Sequence, residues 1–167
     1  MTVTPTAAFL PRMLALLALA LLAGLAPARA QTPDTVFRSY KKVAAFEDVK
    51  FELNNAIIEK GLALDHTGAI GKMLDRTGAD VGSDKVIYKN AEYFSFCSAR
   101  FSRRMMEADP ANIAFCPFII FIYEDAKTPG TTVVGYRRPA IIGNEASQKA
   151  LTEIDALLDG IAREATQ

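Results

Sequence analysis

Cys97 and Cys116 are the residues of this chain whose type and spacing most directly permit chemistry. The 167-residue sequence contains no other cysteine, and the two lie 19 positions apart. Three interpretations stay open. The pair could form a structural disulfide, which an oxidising compartment favours and which would stabilise the fold by about 3 kcal/mol. It could instead be a redox-active or metal-binding pair, or two separately buried thiols that pack as small apolar groups.

The sequence after Cys97 supplies the argument for the second interpretation, a reactive thiol. Cys97 directly precedes residues 98–108, whose apolar spacing predicts a helix, and this helix contains Arg100 and Arg103. A helix N-terminus and a nearby guanidinium both stabilise a thiolate and lower the pKa of the thiol. If Cys97 ends one strand and Cys116 lies in the next, the helix between them can bring the sulfurs together. We therefore predict a ligand-binding or redox site made of Cys97, Cys116, Ser98, Pro117 and Arg100.

Other catalytic and metal-binding patterns are absent from the sequence. The cysteines are not spaced as Cys-x-x-Cys, which a thioredoxin-like exchange site would normally show. Zinc would need further ligands, and the lone histidine, His66, adjoins a Thr67-Gly68 turn that should face solvent. No serine lies in a Gly-x-Ser-x-Gly nucleophile elbow. We expect no catalytic residue, no metal and no cofactor, and a binding or accessory protein rather than an enzyme.

The N-terminal residues predict export. Arg12 precedes a fourteen-residue apolar run, and small residues follow up to Ala30. This order is typical of a cleavable signal peptide, and the run is shorter than the roughly 20 residues that a membrane-spanning helix needs. We predict a signal peptide at residues 1–30, a short tail at 31–34 and a single domain at 35–167. The mature protein is then expected to be periplasmic or secreted, without a membrane anchor.

The charge balance argues against nucleic acid as a partner. Without the predicted signal peptide, which contains Arg12 and Arg29, 17 basic residues remain against 19 acidic ones. Nucleic-acid binding requires a strongly basic surface. The densest basic set could hold a small anion near a helix N-terminus, although we expect a solvated face balanced by Glu107 and Asp109. This set comprises Arg100, Arg103, Arg104, Arg137 and Arg138.

Hydrophobic periodicity predicts an α+β domain, in which helices pack on a mainly antiparallel sheet. The most clearly marked helix begins at Phe46, with acids in its first turn and Gly61 after its end. Residues 113–123 are the most apolar run after the predicted signal and should form a buried strand. The predicted strands are 35–43, 62–66, 86–96, 113–123 and 131–137, and the helices are 46–60, 70–76, 98–108 and 146–162.

Several segments resemble, in their order, bacterial family 302 of the domains of unknown function. They are residues 94–118, Gly61-Leu62, Tyr123-Glu124 and Tyr136-Arg137-Arg138-Pro139, and the resemblance covers roughly Phe37 to Pro139. It implies a strand–helix–four-strand–helix fold of the TATA-binding-protein type, here with a short extra helix between strands, and some members form homodimers. Many members carry Cys-Asn-Pro at the first cysteine and Leu-Pro-Cys at the second. Here Ser98-Ala99 follows Cys97, and Cys116 precedes Pro117.

These observations leave three hypotheses for function. The first is a non-enzymatic periplasmic protein that binds a small ligand or serves as an accessory domain, with its site near Cys97 and Cys116. The second is a thiol-based redox or sulfur-handling protein in which Cys97 is the reactive sulfur and Cys116 resolves it. The third is a structural or interaction protein that acts as a homodimer. The partner is expected to be an unknown small ligand or protein, and neither nucleic acid nor a membrane.

Overall fold

A computed structural model describes residues 33–167 of the chain. The predicted signal peptide and the first two residues of the predicted tail lie outside the described residues. The strand predicted from residue 35 begins two residues later, because Pro33–Val36 form a single helical turn, α1. Its Asp34 accepts a hydrogen bond from the Arg38 guanidinium at 3.2 Å, which joins the turn to the strand that follows.

Five strands of the described chain form one antiparallel sheet in the order β1-β5-β4-β3-β2. β1 and the short β2 are therefore its edge strands, whereas β4 lies at its centre. The prediction of an α+β fold with an antiparallel sheet is confirmed. The strands are β1 Phe37–Val43, β2 His66–Gly68, β3 Tyr88–Phe96, β4 Phe118–Asp125 and β5 Thr131–Arg137.

Four longer helices accompany the sheet. Phe46–Glu59 (α2) begins where the sequence predicts it, and Glu47 and Asp48 stand in its first turn. Ile70–Thr77 (α3) lies between the edge strand β2 and β3. Ala99–Ala108 (α4) joins β3 to β4, and Glu145–Glu164 (α5) ends the fold. Short 3-10 helices follow α3 at Ala79–Val81 and α4 at Pro110–Phe115.

The core lies between one face of the sheet and the helices α2, α4 and α5. Residues opposite one another in an antiparallel pair share a face, so Phe94, Ile120 and Tyr136 all point to this side. Each is at most 1% exposed, and fully burying a large apolar side chain contributes about 1.5–3 kcal/mol. The helices supply the remaining buried core residues, among them Val49, Leu53, Ile57, Met105, Leu151, Ile154, Leu158 and Ile161.

Two strand predictions are wrong in position. The strand expected at residues 62–66 lies at His66–Gly68, after a loop in which Leu62 alone is buried. The strand expected from Ile113 begins five residues later, because Pro110 opens a 3-10 helix capped by the Asp109 side chain. Ile113 is 63% exposed in that turn rather than buried in a strand.

A half-buried charge cluster fastens α5 to β1 and β5. The Asp159 carboxylate accepts hydrogen bonds from the Tyr40 hydroxyl at 2.5 Å, Arg163 at 2.7 Å and Arg38 at 3.1 Å. Burial opposes ionisation of this group, but the three hydrogen bonds outweigh it and lower the pKa of Asp159 to about 2. One helical turn earlier, Asp155 holds Arg138. Periodicity alone could not reveal these pairs, which join residues distant in sequence.

Candidate functional site

The two cysteines meet, as the sequence analysis required for a shared site. Phe96 ends β3 opposite Phe118 at the start of β4, so Cys97 and Cys116 fall at the same end of the sheet. Their sulfurs are bonded, with the Cα atoms 6.3 Å apart, a separation usual for a disulfide. The bond closes the excursion formed by α4 and the 3-10 helix after it. The third interpretation, in which the two thiols are buried separately, is therefore wrong.

The other residues of the predicted site surround this disulfide in different ways. Ser98 is buried and caps α4, because its Oγ accepts the Phe101 N–H at 3.4 Å. The exposed Arg100 guanidinium lies over the Phe101 ring, 4.6 Å from its centroid. Cys116 precedes the exposed Pro117 in a cis peptide bond. Neither of the two cavities described below is lined by these residues, so a ligand site at this junction stays a prediction.

The face of the sheet opposite the core carries a second set of side chains that sequence analysis did not single out. Phe37 pairs with Arg137 across β1 and β5, and Tyr93 pairs with Phe121 across β3 and β4, all on this open face. Phe37 and Phe121 meet edge to face with ring centroids 6.1 Å apart, and Phe121 stacks beside Tyr123 at 6.2 Å. Aromatic rings from three strands, β1, β3 and β4, therefore lie on this face.

Glycines make room for two of these rings. A Cβ on Gly135 would lie 2.4 Å from the Phe121 ring, and a Cβ on Gly68 would lie 1.9 Å from the Tyr93 ring. Both rings therefore lie flat across a neighbouring strand, in positions that any larger residue would block. In the sequence, this arrangement is marked only by Gly135, a glycine inside a predicted strand, followed by Tyr136-Arg137.

The rings form the floor of an elongated cavity of about 570 Å³, which we call the open-face trough. Its sides come from Val36 and Phe37 at the β1 edge, and from Ile70 of α3 with Ile87 and Tyr88 at the β3 edge. The trough follows β4 from Ile119 to Asp125, a length of strand that spans roughly 20 Å. The trough fits the size range of small-ligand pockets, about 300–1,000 Å³.

The two ends of the trough differ in charge. Arg137 lies at one end, exposed, and its side chain has neither an ion pair nor a hydrogen bond within residues 33–167. Asp125 lies at the other end, where its Oδ1 accepts the Lys127 N–H at 2.8 Å. Burial and the nearby Tyr88 and Asp125 raise the pKa of Tyr123, so its hydroxyl stays neutral. The trough thus offers an apolar floor with a cationic end.

A second, smaller cavity of about 470 Å³ lies at the N-terminus of α2. Glu124 lines it and is only 3% exposed. The Gly130 N–H donates to its carboxylate at 2.7 Å, and together with Asn90 and Lys89 it lowers the pKa of Glu124 against the opposing effect of burial. Because these contacts tie the β4–β5 turn together, the Glu124 carboxylate is already used within the fold.

The described residues offer neither a metal site nor a membrane span. Among them, no cluster of three or more His, Cys, Asp or Glu side chains could hold a metal ion. His66 is exposed in β2, with its ring 5.9 Å from that of Tyr93. Within the same part of the chain, no helix is long and apolar enough to cross a membrane.

Comparison with known proteins identifies the family. The model of the family described as domain of unknown function DUF302 matches residues 38–165, which is most of the chain. The chain belongs to this family. The fold of this DUF302 protein is also similar to that of a solved structure, the uncharacterized conserved DUF302 protein from Bacillus stearothermophilus. The TM-score is 0.65 at 13% identity, over 78% of this chain and 98% of that one. No curated protein matches the chain.

The family match confirms the resemblance drawn from the sequence, and it leaves the function of the DUF302 protein unassigned. Its motif residues have structural explanations here: Glu124 ties a turn, Tyr136 is fully buried, and Arg138 holds Asp155. Arg137 is the exception, since it is exposed within the same motif and makes no such contact in the described chain.

Proposed function

We propose that this DUF302 protein is a binding protein whose ligand occupies the open-face trough. The observation that supports this most strongly is the unpaired Arg137 at the end of an aromatic floor. A charged residue without a partner at the rim of an apolar cavity is the arrangement by which small-ligand sites orient an amphipathic molecule. The disulfide junction then plays no part in holding the ligand.

The shape and charge of the trough define the class of ligand. Phe121, Tyr123 and Tyr93 present ring faces and edges to an apolar body, which stacks on them favourably. The Arg137 guanidinium provides paired donors that suit a carboxylate. Asp125 at the opposite end disfavours a second anionic group there. The ligand class is therefore an elongated monocarboxylate with an aromatic or aliphatic body.

The place of action proposed is the periplasm or the medium outside the cell. This part of the proposal is supported by the sequence of residues 1–30, which has the charge, length and small residues of a cleavable signal. A disulfide between Cys97 and Cys116 agrees with that compartment, since disulfides persist where conditions are oxidising.

The experiment compares 8-phenyloctanoate with the neutral 8-phenyloctanol by isothermal titration calorimetry. We expect both compounds to bind, and the acid to bind about three- to tenfold more tightly because only its carboxylate pairs with Arg137. In the R137Q variant this preference for the acid should disappear while the alcohol binds as before. Arg103→Gln is the matched control, because Arg103 is also exposed but pairs with Glu107 on α4.

Three results would overturn the proposal. The first is that neither compound binds. The second is that the R137Q variant still binds the acid more tightly than the alcohol. The third is that the Arg103→Gln control loses this difference in affinity to the same extent. A second copy of the chain seated on the open face is the competing occupant. Sedimentation of the unliganded protein would detect this second copy as a dimer. If the dimer dissociates when Phe37 is changed to Ser, dimer formation replaces ligand binding as the function of this face.

A further inference from the structure

The disulfide between Cys97 and Cys116 joins residues that differ in access to solvent. Cys97 is exposed, whereas Cys116 is half-buried, with its sulfur 3.6 Å from the Ser102 hydroxyl of α4. One sulfur of the bond is thus open to attack by a thiolate, and the other lies beside a hydroxyl group. Structural disulfides in small domains are more often enclosed; accessible ones are the labile or reactive class.

The excursion closed by the disulfide is held in place by other contacts. Met105 of α4 is fully buried in the core. The Asn112 side chain donates to the Met105 carbonyl at 2.8 Å and to the Ser147 hydroxyl at 2.7 Å, which ties the 3-10 helix to α4 and α5. Arg104 pairs with Glu153 on α5. Opening the disulfide therefore leaves the segment anchored on both sides.

The surroundings of Cys97 stabilise a thiolate. Cys97 stands one residue before the Ser98 cap of α4, whose first turn contains Arg100 and no acidic residue. The positive end of the helix favours negative charge on the Cys97 sulfur, and the Arg100 guanidinium adds positive charge to the same helical turn.

We propose that Cys97–Cys116 is a thiol–disulfide exchange site that reacts with dithiols of exported proteins. A dithiol thiolate attacks the Cys97 sulfur, the bond between the two cysteines breaks, and the electron pair leaves with Cys116. The Ser102 hydroxyl donates a hydrogen bond to the departing thiolate, which then takes up a proton from solvent. The second thiol of the partner, after losing its proton, displaces Cys97 as a thiolate. The partner is oxidised to a disulfide, and this protein gains two electrons and becomes the dithiol.

Ser102 is a positioning residue in this scheme, because it stabilises the leaving sulfur without joining the exchange. Its loss should slow reduction of the native disulfide about tenfold or more, the effect of one hydrogen bond to a charged group. The free energy of unfolding should change little in the oxidised Ser102→Ala variant. If the hydroxyl had a merely structural role, Ser102→Ala would lower the free energy of unfolding and leave the rate of reduction unchanged.

Reduction of the folded, full mature chain by excess dithiothreitol, a small dithiol, tests the proposal. Samples are quenched with acid, alkylated with a maleimide and counted by mass spectrometry, while circular dichroism follows the fold. We expect both thiols to appear together while the spectrum stays native, and more slowly in Ser102→Ala. A bond that persists until denaturant is added, or a fold lost with the bond, would overturn the proposal, and so would an unchanged rate in Ser102→Ala.

A second measurement uses the single cysteine of the Cys116→Ala variant. The rate of Cys97 alkylation as a function of pH should show a pKa below the ordinary value of about 8.5, and Arg100→Gln should raise it. Arg103→Gln, one helical turn further along α4, is the control. An ordinary pKa that is insensitive to Arg100 contradicts the exchange site. Since Arg137 takes no part in either measurement, failure here would not affect the proposed ligand binding.

Discussion

The ring of Phe121 lies flat across the backbone of Gly135, its strand neighbour in the sheet. A Cβ at position 135 would approach the Phe121 ring to 2.4 Å and the Arg38 carbonyl oxygen to 2.7 Å. Because the Arg38 carbonyl oxygen belongs to the backbone of β1, this contact cannot be relieved by rotating a side chain. The open-face trough therefore has its floor fixed by the absence of a side chain at Gly135.

Gly135→Ala should destabilise the protein and weaken ligand binding. We expect a loss of about 1–3 kcal/mol in the free energy of unfolding, the usual effect of overpacking, together with weaker binding of 8-phenyloctanoate because the Phe121 ring must tilt into the trough. Chemical denaturation and calorimetry measure the two effects. Gly160→Ala in α5 is the control, since a Cβ there meets no atom within 4 Å, and alanine should instead stabilise the helix. Equal behaviour of the two variants would contradict the packing described here.

Asp159 should make stability depend on acid pH. Its pKa is about 2 in the folded protein, below the value of about 3.9 expected in the unfolded chain. A lowered pKa stabilises the fold fully above the unfolded value, so this contribution, on the order of 2 kcal/mol, is lost as the pH falls from about 4 towards 2.

The Asp159→Asn variant measures that contribution. Its free energy of unfolding should be lower than that of the wild type at pH 7, and the difference should shrink as the pH falls from 4 towards 2. Asp75→Asn, at an exposed position of α3, serves as the control. A difference that is the same at pH 7 and pH 2.5 would show that the hydrogen bonds to Tyr40, Arg38 and Arg163 do not hold the carboxylate ionised.

Replacement of both cysteines should leave the trough intact. In the Cys97→Ala, Cys116→Ala double variant, we expect 8-phenyloctanoate to bind as in the wild type, because neither residue lines the trough. The unfolding midpoint should fall, since the constraint on the unfolded chain is removed. Calorimetry and denaturation give the two values. Binding that disappears with the sulfurs would return the ligand site to the strand–helix junction predicted from the sequence.

The N-terminal residues make a prediction about export. When the full chain is produced in a bacterial host, mass spectrometry of the exported protein should find Gln31 as the first residue. Ala30→Arg should block cleavage, because small residues are required just before the cut. Lys149→Arg, far from this segment, should be processed normally. A mature protein that still begins at Met1 would refute the assignment.

The sequence predicts those features that depend on local pattern. Helix α2 and strand β5 are found where their periodicity places them. The strand predicted from Ile113 fails because an apolar run does not distinguish a strand from a turn, and the Asp109 cap with Pro110 decides the outcome. That Cys97 and Cys116 meet could be anticipated from neighbouring strands joined by one helix.

The trough could not be anticipated in the same way. Its floor depends on strand register, which brings Tyr93 opposite Phe121 and Gly135 beside it. No short-range pattern encodes that register, because these residues lie on three different strands. Arg137 likewise looks like its neighbour Arg138 in sequence, yet only Arg138 has a carboxylate partner in the described chain.

The most direct test is an aromatic ¹H–¹³C NMR titration of the mature protein with 8-phenyloctanoate. If the ligand occupies the open-face trough, we expect the resonances of Phe121, Tyr123 and Tyr93 to shift together as ligand is added and to follow one saturation curve. Phe46 and Phe118, which lie in the core on the other side of the sheet, should not shift. Saturable shifts confined to the surroundings of Cys97, or none at all, would contradict a ligand site on the open face.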